Sequence, residues 1–357
     1  MRYLILSIAI AIFISIPAKS QTMQIVFPTD STSVQIHRDN YGVPHIYAEN
    51  EYDMFFGQGF ATAQDRLIQL EMHRRTAMGT IAEVAFILDA DVDYLIEDDI
   101  QTRKDGYTKK ELRDIFNSLD EKYRQSIIAY SDGINRYVDS MKANPDKYMH
   151  YEYRQLTQIG MEIEDWSPIN TMAVISYMSR IFGGFGGNEF YNQEVAEDMG
   201  FDVFKKIHPL NDTSVYATVQ GEIPGKVKSY DEPVKTGSEL KDAMEYYRFK
   251  DFSKKFKKEN HLPYKFGSFA AIVDKNHTNN SNTLFLGCPQ MGSISYDEPA
   301  VINEVELKTD GYHVHGASVT GIPGIIVGRT TDFAWTFTSG LMDNSDFFAD
   351  SINNNFD

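Results

Sequence analysis

The sequence predicts a mixed fold of α-helices and β-strands, and three stretches predict it. Val34-Gln35-Ile36-His37-Arg38-Asp39 alternates apolar and polar residues as a strand does. From Glu51 to Met78, apolar residues recur at intervals of three and four, the period of a helix with one face on a core. Farther on, the apolar runs Phe269 to Val273 and Leu284 to Leu286 flank a loop, Asp274 to Asn282, rich in Asn, Ser and Thr. Two short runs around such a loop read as a hairpin.

Taken in order, Met1 to Ser20 opens with Arg2, runs apolar from Tyr3 to Pro17 and ends in Ala18-Lys19-Ser20, a small-x-small pattern. This is the form of a secretory signal peptide, and residues 1–20 are assigned to it. The mature protein is then expected in a periplasm or outside the cell, with no membrane attachment after the signal is removed. Asn40-Tyr41-Gly42-Val43-Pro44 turns the first strand into a second, His45-Ile46-Tyr47. In the helix that follows, Phe55, Phe56, Gly59, Phe60, Ala63, Leu67 and Leu70 form the apolar stripe, while Gln64, Asp65, Arg66, His73, Arg74 and Arg75 supply polar faces. Residues 90–177 are mostly helical in pattern, punctuated by Tyr130-Ser131-Asp132-Gly133 and Trp166-Ser167-Pro168. Met178 to Phe190 reads as a helix broken by Gly183-Gly184-Phe185-Gly186-Gly187. From Asn211 to Lys257 the chain turns polar without a period, and Lys250 to Lys265 carries six lysines in sixteen residues, an exposed and easily cut segment.

Composition narrows the function. A formal charge of −17 argues against nucleic acid as a partner, since a polyanion would be repelled. The single cysteine, Cys288, allows no internal disulfide, so an ordinary core must hold the chain together. With 42% hydrophobic residues over 357, there is material for one large or two ordinary domains.

The chemistry centres on Gly267-Ser268, directly before a strand. A Gly-Ser pair there can be a plain turn, and the lysine-rich segment a plain linker. If the bond between them were broken, however, Ser268 would hold a hydroxyl and an α-amine within one residue, a nucleophile and its base. An α-amine titrates near pH ~7.7–8.0, so a useful fraction is unprotonated around neutrality. Two other arrangements stay open on the residues alone. His313 and His315 could be zinc ligands, although no third ligand is in view, or could join Asp310 and Ser268 in a Ser-His-Asp triad.

The order and spacing of several motifs carry a resemblance. Gly42-Val43-Pro44-His45-Ile46 precedes Gly59-Phe60-Ala61-Thr62-Ala63-Gln64-Asp65-Arg66-Leu67. After Ser268 come Gly287-Cys288-Pro289-Gln290-Met291-Gly292, Pro323 to Gly328, Phe333-Ala334-Trp335-Thr336-Phe337-Thr338-Ser339-Gly340 and Asp343-Asn344-Ser345-Asp346. Together they resemble the penicillin acylases, members of the N-terminal-nucleophile hydrolases, over nearly the whole mature chain. The resemblance implies an α+β fold, the four-layer αββα sandwich with a largely helical α chain. It implies an α-chain region at 21–245, a spacer at 246–267 removed on maturation, and the start of a β chain at 268–357, the two chains forming a heterodimer. With 90 residues after the cut, this chain looks like a truncated precursor, and the activity the resemblance implies is expected of the full-length protein rather than of this chain.

The same resemblance implies roles. Cleavage falls between Gly267 and Ser268, Ser268 attacks the substrate amide, and the backbone N–H of Ser339 holds the oxyanion. Penicillin acylases usually have alanine at that position, and a backbone donor tolerates the change. Gln290, 22 residues after Ser268, favours the penicillin G branch over homoserine-lactone acylases. Tyr177, Met178, Ile181, Phe182 and Met291 are the pocket candidates. Glu189 with Asp343, the Ser345 carbonyl and Asp346 matches one structural Ca²⁺ site joining the chains. The expected reaction is hydrolysis of a small-molecule N-acyl amide of arylacetyl type. An acyl-homoserine lactone acylase and a non-catalytic secreted binding protein are the alternatives.

Overall fold

The computed structural model describes residues 22–26, 32–84, 92–158, 160–183, 189–207, 265–291 and 301–338. They form two compact units. One runs through Met1–Tyr177 and Phe266–Thr338; the other takes Met178–Lys265 and Ser339–Asp357.

In the first unit, β1 (Thr22–Val26), β2 (Val34–Arg38) and β3 (Pro44–Tyr47) form an antiparallel meander. Strand β4 (Lys265–Val273) pairs with β5 (Leu284–Met291) in a separate two-stranded sheet. β6 (Ile302–Thr309) lies parallel to β3, with His45 opposite Glu306, and continues through β7 (Tyr312–Val319), β8 (Val327–Arg329) and β9 (Ala334–Trp335). The larger sheet thus has seven strands in the order β1-β2-β3-β6-β7-β8-β9. Alternation decides its faces: Val34, Ile36, Ile46, Val305, Leu307 and Val314 are buried on one side, and their polar neighbours take the other.

Helix α1 (Glu51–Met78) lies against that apolar side. Asn50 caps it, its side chain accepting from the Asp53 N–H at 2.9 Å, and Gly79 closes it. Every residue from Asp53 to Ala63 is buried, more than one stripe requires, because α1 is covered from two directions. The sheet is one cover, with Val34 and Ile46 against Gly57. The other is α4 (Glu121–Ala143), which crosses where Gly59 meets Tyr130 and Gly133 meets Phe56. Around them pack α2 (Val92–Asp105), α3 (Lys109–Ser118) and α7 (Pro168–Gly183). Leu112, Ile127, Met172 and Ala173 form a core shared by α3, α4 and α7. The short helices α5 (Pro145–Tyr148) and α6 (Tyr151–Gln158) follow α4. In the second unit, α8 (Glu189–Met199) and α9 (Phe201–Ile207) follow the end of α7. No helix among the described residues is long and apolar enough to cross a membrane.

Among the described residues the β4–β5 pair leaves Phe269, Ile272 and Leu286 48%, 69% and 54% exposed. One expectation changes. His73, Arg74 and Arg75, expected on a polar face, are buried. The arginines are kept there by Glu71, to which Arg74 pairs and which accepts from the Arg75 Nε at 2.6 Å.

Candidate active site

Gly267 and Ser268 are consecutive residues of β4, and Ser268 is half-buried whereas Phe269 to His277 are exposed. The segment after β9 meets the strand at Ser268. The Thr338 hydroxyl lies 3.5 Å from the Ser268 carbonyl oxygen. Two residues earlier, the Thr336 side chain rests on Gly287 of β5, where an added Cβ would fall 2.5 Å from the Thr336 Oγ1. Ser339 is the next residue in the chain and lies outside the described residues. Gln290 and Met291 end β5, the strand paired with β4.

The segment carrying Thr336 and Thr338 is anchored from within the core. The Trp335 indole N–H donates to the Ile326 carbonyl at 2.8 Å. Ahead of it, the loop from Thr320 to Gly324 is held by polar side chains of α1 and α4. Gln58 donates to the Gly324 carbonyl at 3.1 Å and accepts from the Gly324 N–H at 2.8 Å. Thr320 donates to Gln69 at 3.1 Å, and the Gly321 N–H donates to the Tyr130 hydroxyl at 3.2 Å. His73 donates from Nδ1 to the Thr320 carbonyl at 2.9 Å, which fixes its tautomer. Burial lowers the His73 pKa to about 4 and raises that of Tyr130 to about 12, so both are neutral at pH 7. The sequence gives no role to Gln58 or Gln69 and places His73 only on a polar face. Their signal was there: polar residues interrupting a helix that is otherwise apolar.

A sequence profile of the penicillin amidase family matches residues 33–356. The chain belongs to the penicillin amidase family. It is 24% identical to penicillin G acylase of Escherichia coli over 90% of this chain and 40% of that protein. It is 32% identical to penicillin acylase 2 proenzyme of Pseudomonas sp. strain SE83 over 47% of this chain and 20% of that one. An acyl-homoserine lactone acylase of Pseudomonas syringae pv. tomato is 21% identical over 90% of this chain and 35% of its own length. The chain therefore spans two-fifths or less of these relatives. A thermostable penicillin G acylase from Alcaligenes faecalis aligns in structure over 57% of this chain and 99% of that chain, with 24% identity and a TM-score of 0.44.

Of the pocket candidates in this penicillin amidase chain, Tyr177 and Met178 are buried on α7, and Ile181 and Phe182 are half-buried near its end. Glu189 is the first residue of α8. Asp343, Ser345 and Asp346 lie outside the described residues.

His313 and His315 have partners other than those considered from sequence. On the polar face of the larger sheet, Glu306 sits between two histidines, accepting from His313 Nε2 at 2.5 Å and pairing with His45. Although burial alone would raise the Glu306 pKa, these two contacts bring it down to about 2. His315 lies 2.9 Å from Glu304. The ion partners are glutamates of β6 rather than Asp310, and the histidines belong to a different sheet from Ser268. Among the described residues no group of three His, Cys, Asp or Glu is arranged to hold a metal. Beside this cluster, Gln35, His37, Arg38, Asp39, His45 and Tyr47 line an open groove of about 630 Å³.

Proposed function

We propose that the protein carrying this chain is an amide-hydrolysing acylase whose nucleophile is Ser268, freed as an amino terminus. The observation that carries the reading is the setting of Ser268: half-buried in β4, directly after Gly267, with its carbonyl at the Thr338 hydroxyl. Maturation begins when Ser268 Oγ attacks the Gly267 carbonyl carbon. The Gly267–Ser268 C–N bond breaks and the nitrogen takes the hydroxyl proton. Water then hydrolyses the ester, leaving a carboxylate on Gly267 and a free amine and hydroxyl on Ser268.

In turnover the amine takes the Ser268 proton as Oγ attacks the acyl carbonyl. The leaving amine departs with that proton, and water hydrolyses the acyl-enzyme. The Ser339 backbone N–H, one residue beyond Thr338, is the proposed oxyanion donor, worth about 3–4 kcal/mol of barrier. Gln290 is the matching residue of the paired strand. The proposed processing leaves an α chain from 21–245 and a β chain from Ser268 onward as a heterodimer, in a four-layer αββα sandwich, secreted or periplasmic. Glu189, Asp343, the Ser345 carbonyl and Asp346 are the proposed calcium ligands; their hard oxygen donors suit that ion, which would tie the two chains together.

The acyl group is proposed to be arylacetyl, held by Tyr177, Met178, Ile181, Phe182 and Met291. A ring buried among such residues contributes about 2–3 kcal/mol. A fatty acyl chain is the second reading, favoured by the match to a homoserine-lactone acylase over 90% of the chain. The test compares the full-length protein on phenylacetyl and octanoyl versions of one chromogenic amide. A higher kcat/KM on phenylacetyl, lost in Ser268→Ala, is expected. A tenfold preference for octanoyl, about 1.4 kcal/mol, would replace the arylacetyl reading.

A further inference from the structure

Cutting the Gly267–Ser268 bond removes the covalent tether on one side of the residue that must act. A strand that begins at its own nucleophile is a fraying terminus, and a loose terminus is a poor place for a group that must meet an amide carbonyl within a fraction of an ångström. Something has to hold Ser268 from its other side. Residues 336 and 338 stand two apart, the spacing that puts side chains on one side of an extended segment. Both meet the β4–β5 pair. Thr338 reaches the Ser268 carbonyl at 3.5 Å, and Thr336 occupies the slot left by the missing side chain of Gly287, where a Cβ would come within 2.5 Å of its Cβ and Oγ1. Their own segment is fixed to the larger sheet through β8 and β9 and through the Trp335 indole.

We propose that Thr336 and Thr338 are positioning residues that clamp the nucleophile strand after it has been cut, with the Thr338 hydroxyl donating to the Ser268 carbonyl and Thr336 fixing the height of β5 through Gly287. The proposal rests on the reading of Ser268 as an amino-terminal nucleophile. In the uncut precursor the chain before Ser268 shares the load, so the hydroxyl matters more for turnover than for maturation.

The experiment uses the full-length protein as wild type, Thr338→Val, Thr338→Ser and Gly287→Ala. Intact mass gives the fraction of chains beginning at Ser268, and steady-state kinetics on an N-phenylacetyl chromogenic amide give kcat and KM. Val keeps the shape of Thr and removes the donor, so Thr338→Val should be cut but turn over at least tenfold more slowly with KM within twofold. Thr338→Ser, which keeps the hydroxyl, should recover kcat to within threefold of wild type. A Thr338→Val protein that is never cut, beside a Thr338→Ser protein that is cut and turns over normally, would place the hydroxyl in maturation and overturn its assignment to the cut strand. Equal kcat in Thr338→Val and wild type, or a serine variant as impaired as the valine one, would overturn it. Gly287→Ala drives a methyl into Thr336 and should lower kcat in the same direction; wild-type kcat there would remove Thr336 from the clamp. A wild-type protein left uncut at Gly267–Ser268 fails the underlying reading instead, and the clamp goes with it.

Discussion

Gly59 of α1 lies against the backbone of Tyr130 in α4 so closely that a Cβ on Gly59 would stand 2.0 Å from the Tyr130 carbonyl oxygen. The contact is reciprocated one turn along, where a Cβ on Gly133 would stand 1.9 Å from the Phe56 carbonyl oxygen. Neither obstacle is a side chain that can swing away. Gly59→Ala must therefore push the helices apart, and with them Tyr130, whose hydroxyl accepts from the Gly321 N–H. We expect a loss of about 1–3 kcal/mol, read as a lower midpoint in denaturant unfolding. A midpoint equal to wild type would mean that the helices cross farther apart than described.

His73 makes stability depend on pH. Its pKa is lowered to about 4 in the folded chain by burial, against about 6.5 when unfolded. Between those values the unfolded chain binds the extra proton, so stability falls as pH drops from about 6.5 toward 4, and below 4 this contribution changes no further. The full effect is at most about 3 kcal/mol. His73→Gln should flatten the stability profile between pH 4 and 6.5, and an unchanged slope would contradict a buried, neutral His73.

Glu71 pairs with two buried arginines at once. Arg74 and Arg75 both pair with it, the three side chains being only 6–8% exposed, and Tyr153 donates to it at 3.4 Å. Glu71→Gln removes the buried carboxylate the two share, leaving Arg74 only the exposed Glu164 at 3.6 Å and Arg75 only the exposed Glu83 as acidic partners, and should cost up to about 3–5 kcal/mol. Lys110→Ala removes an exposed pair with Asp114 and should cost well under 1 kcal/mol. Equal effects from the two changes would contradict the buried arrangement.

Local pattern reveals local structure here, and little else. The limits of α1 were readable because Asn50 supplies a cap and Gly79 a stop, and β2 because Val34 and Ile36 alternate with Gln35 and His37. The parallel pairing of His45 with Glu306 was not, since nothing in a strand names a partner 261 residues away. Nor was the burial of Gln58, Gln69 and His73, because a polar side chain in a helix reads as solvent-facing until its distant acceptor is known. The strand that carries Ser268 was legible by its short apolar run. Thr338, which touches Ser268, was not, because the two stand seventy residues apart and meet only through the fold.

The central claim is that Ser268 acts as an amino terminus, and intact-mass and end-group analysis of the full-length protein test it most directly. The account predicts a separate chain whose first residue is Ser268, and a Ser268→Ala protein that persists as one uncut precursor. A wild-type protein recovered uncut yet active on N-acyl amides, or cut only elsewhere, would contradict it.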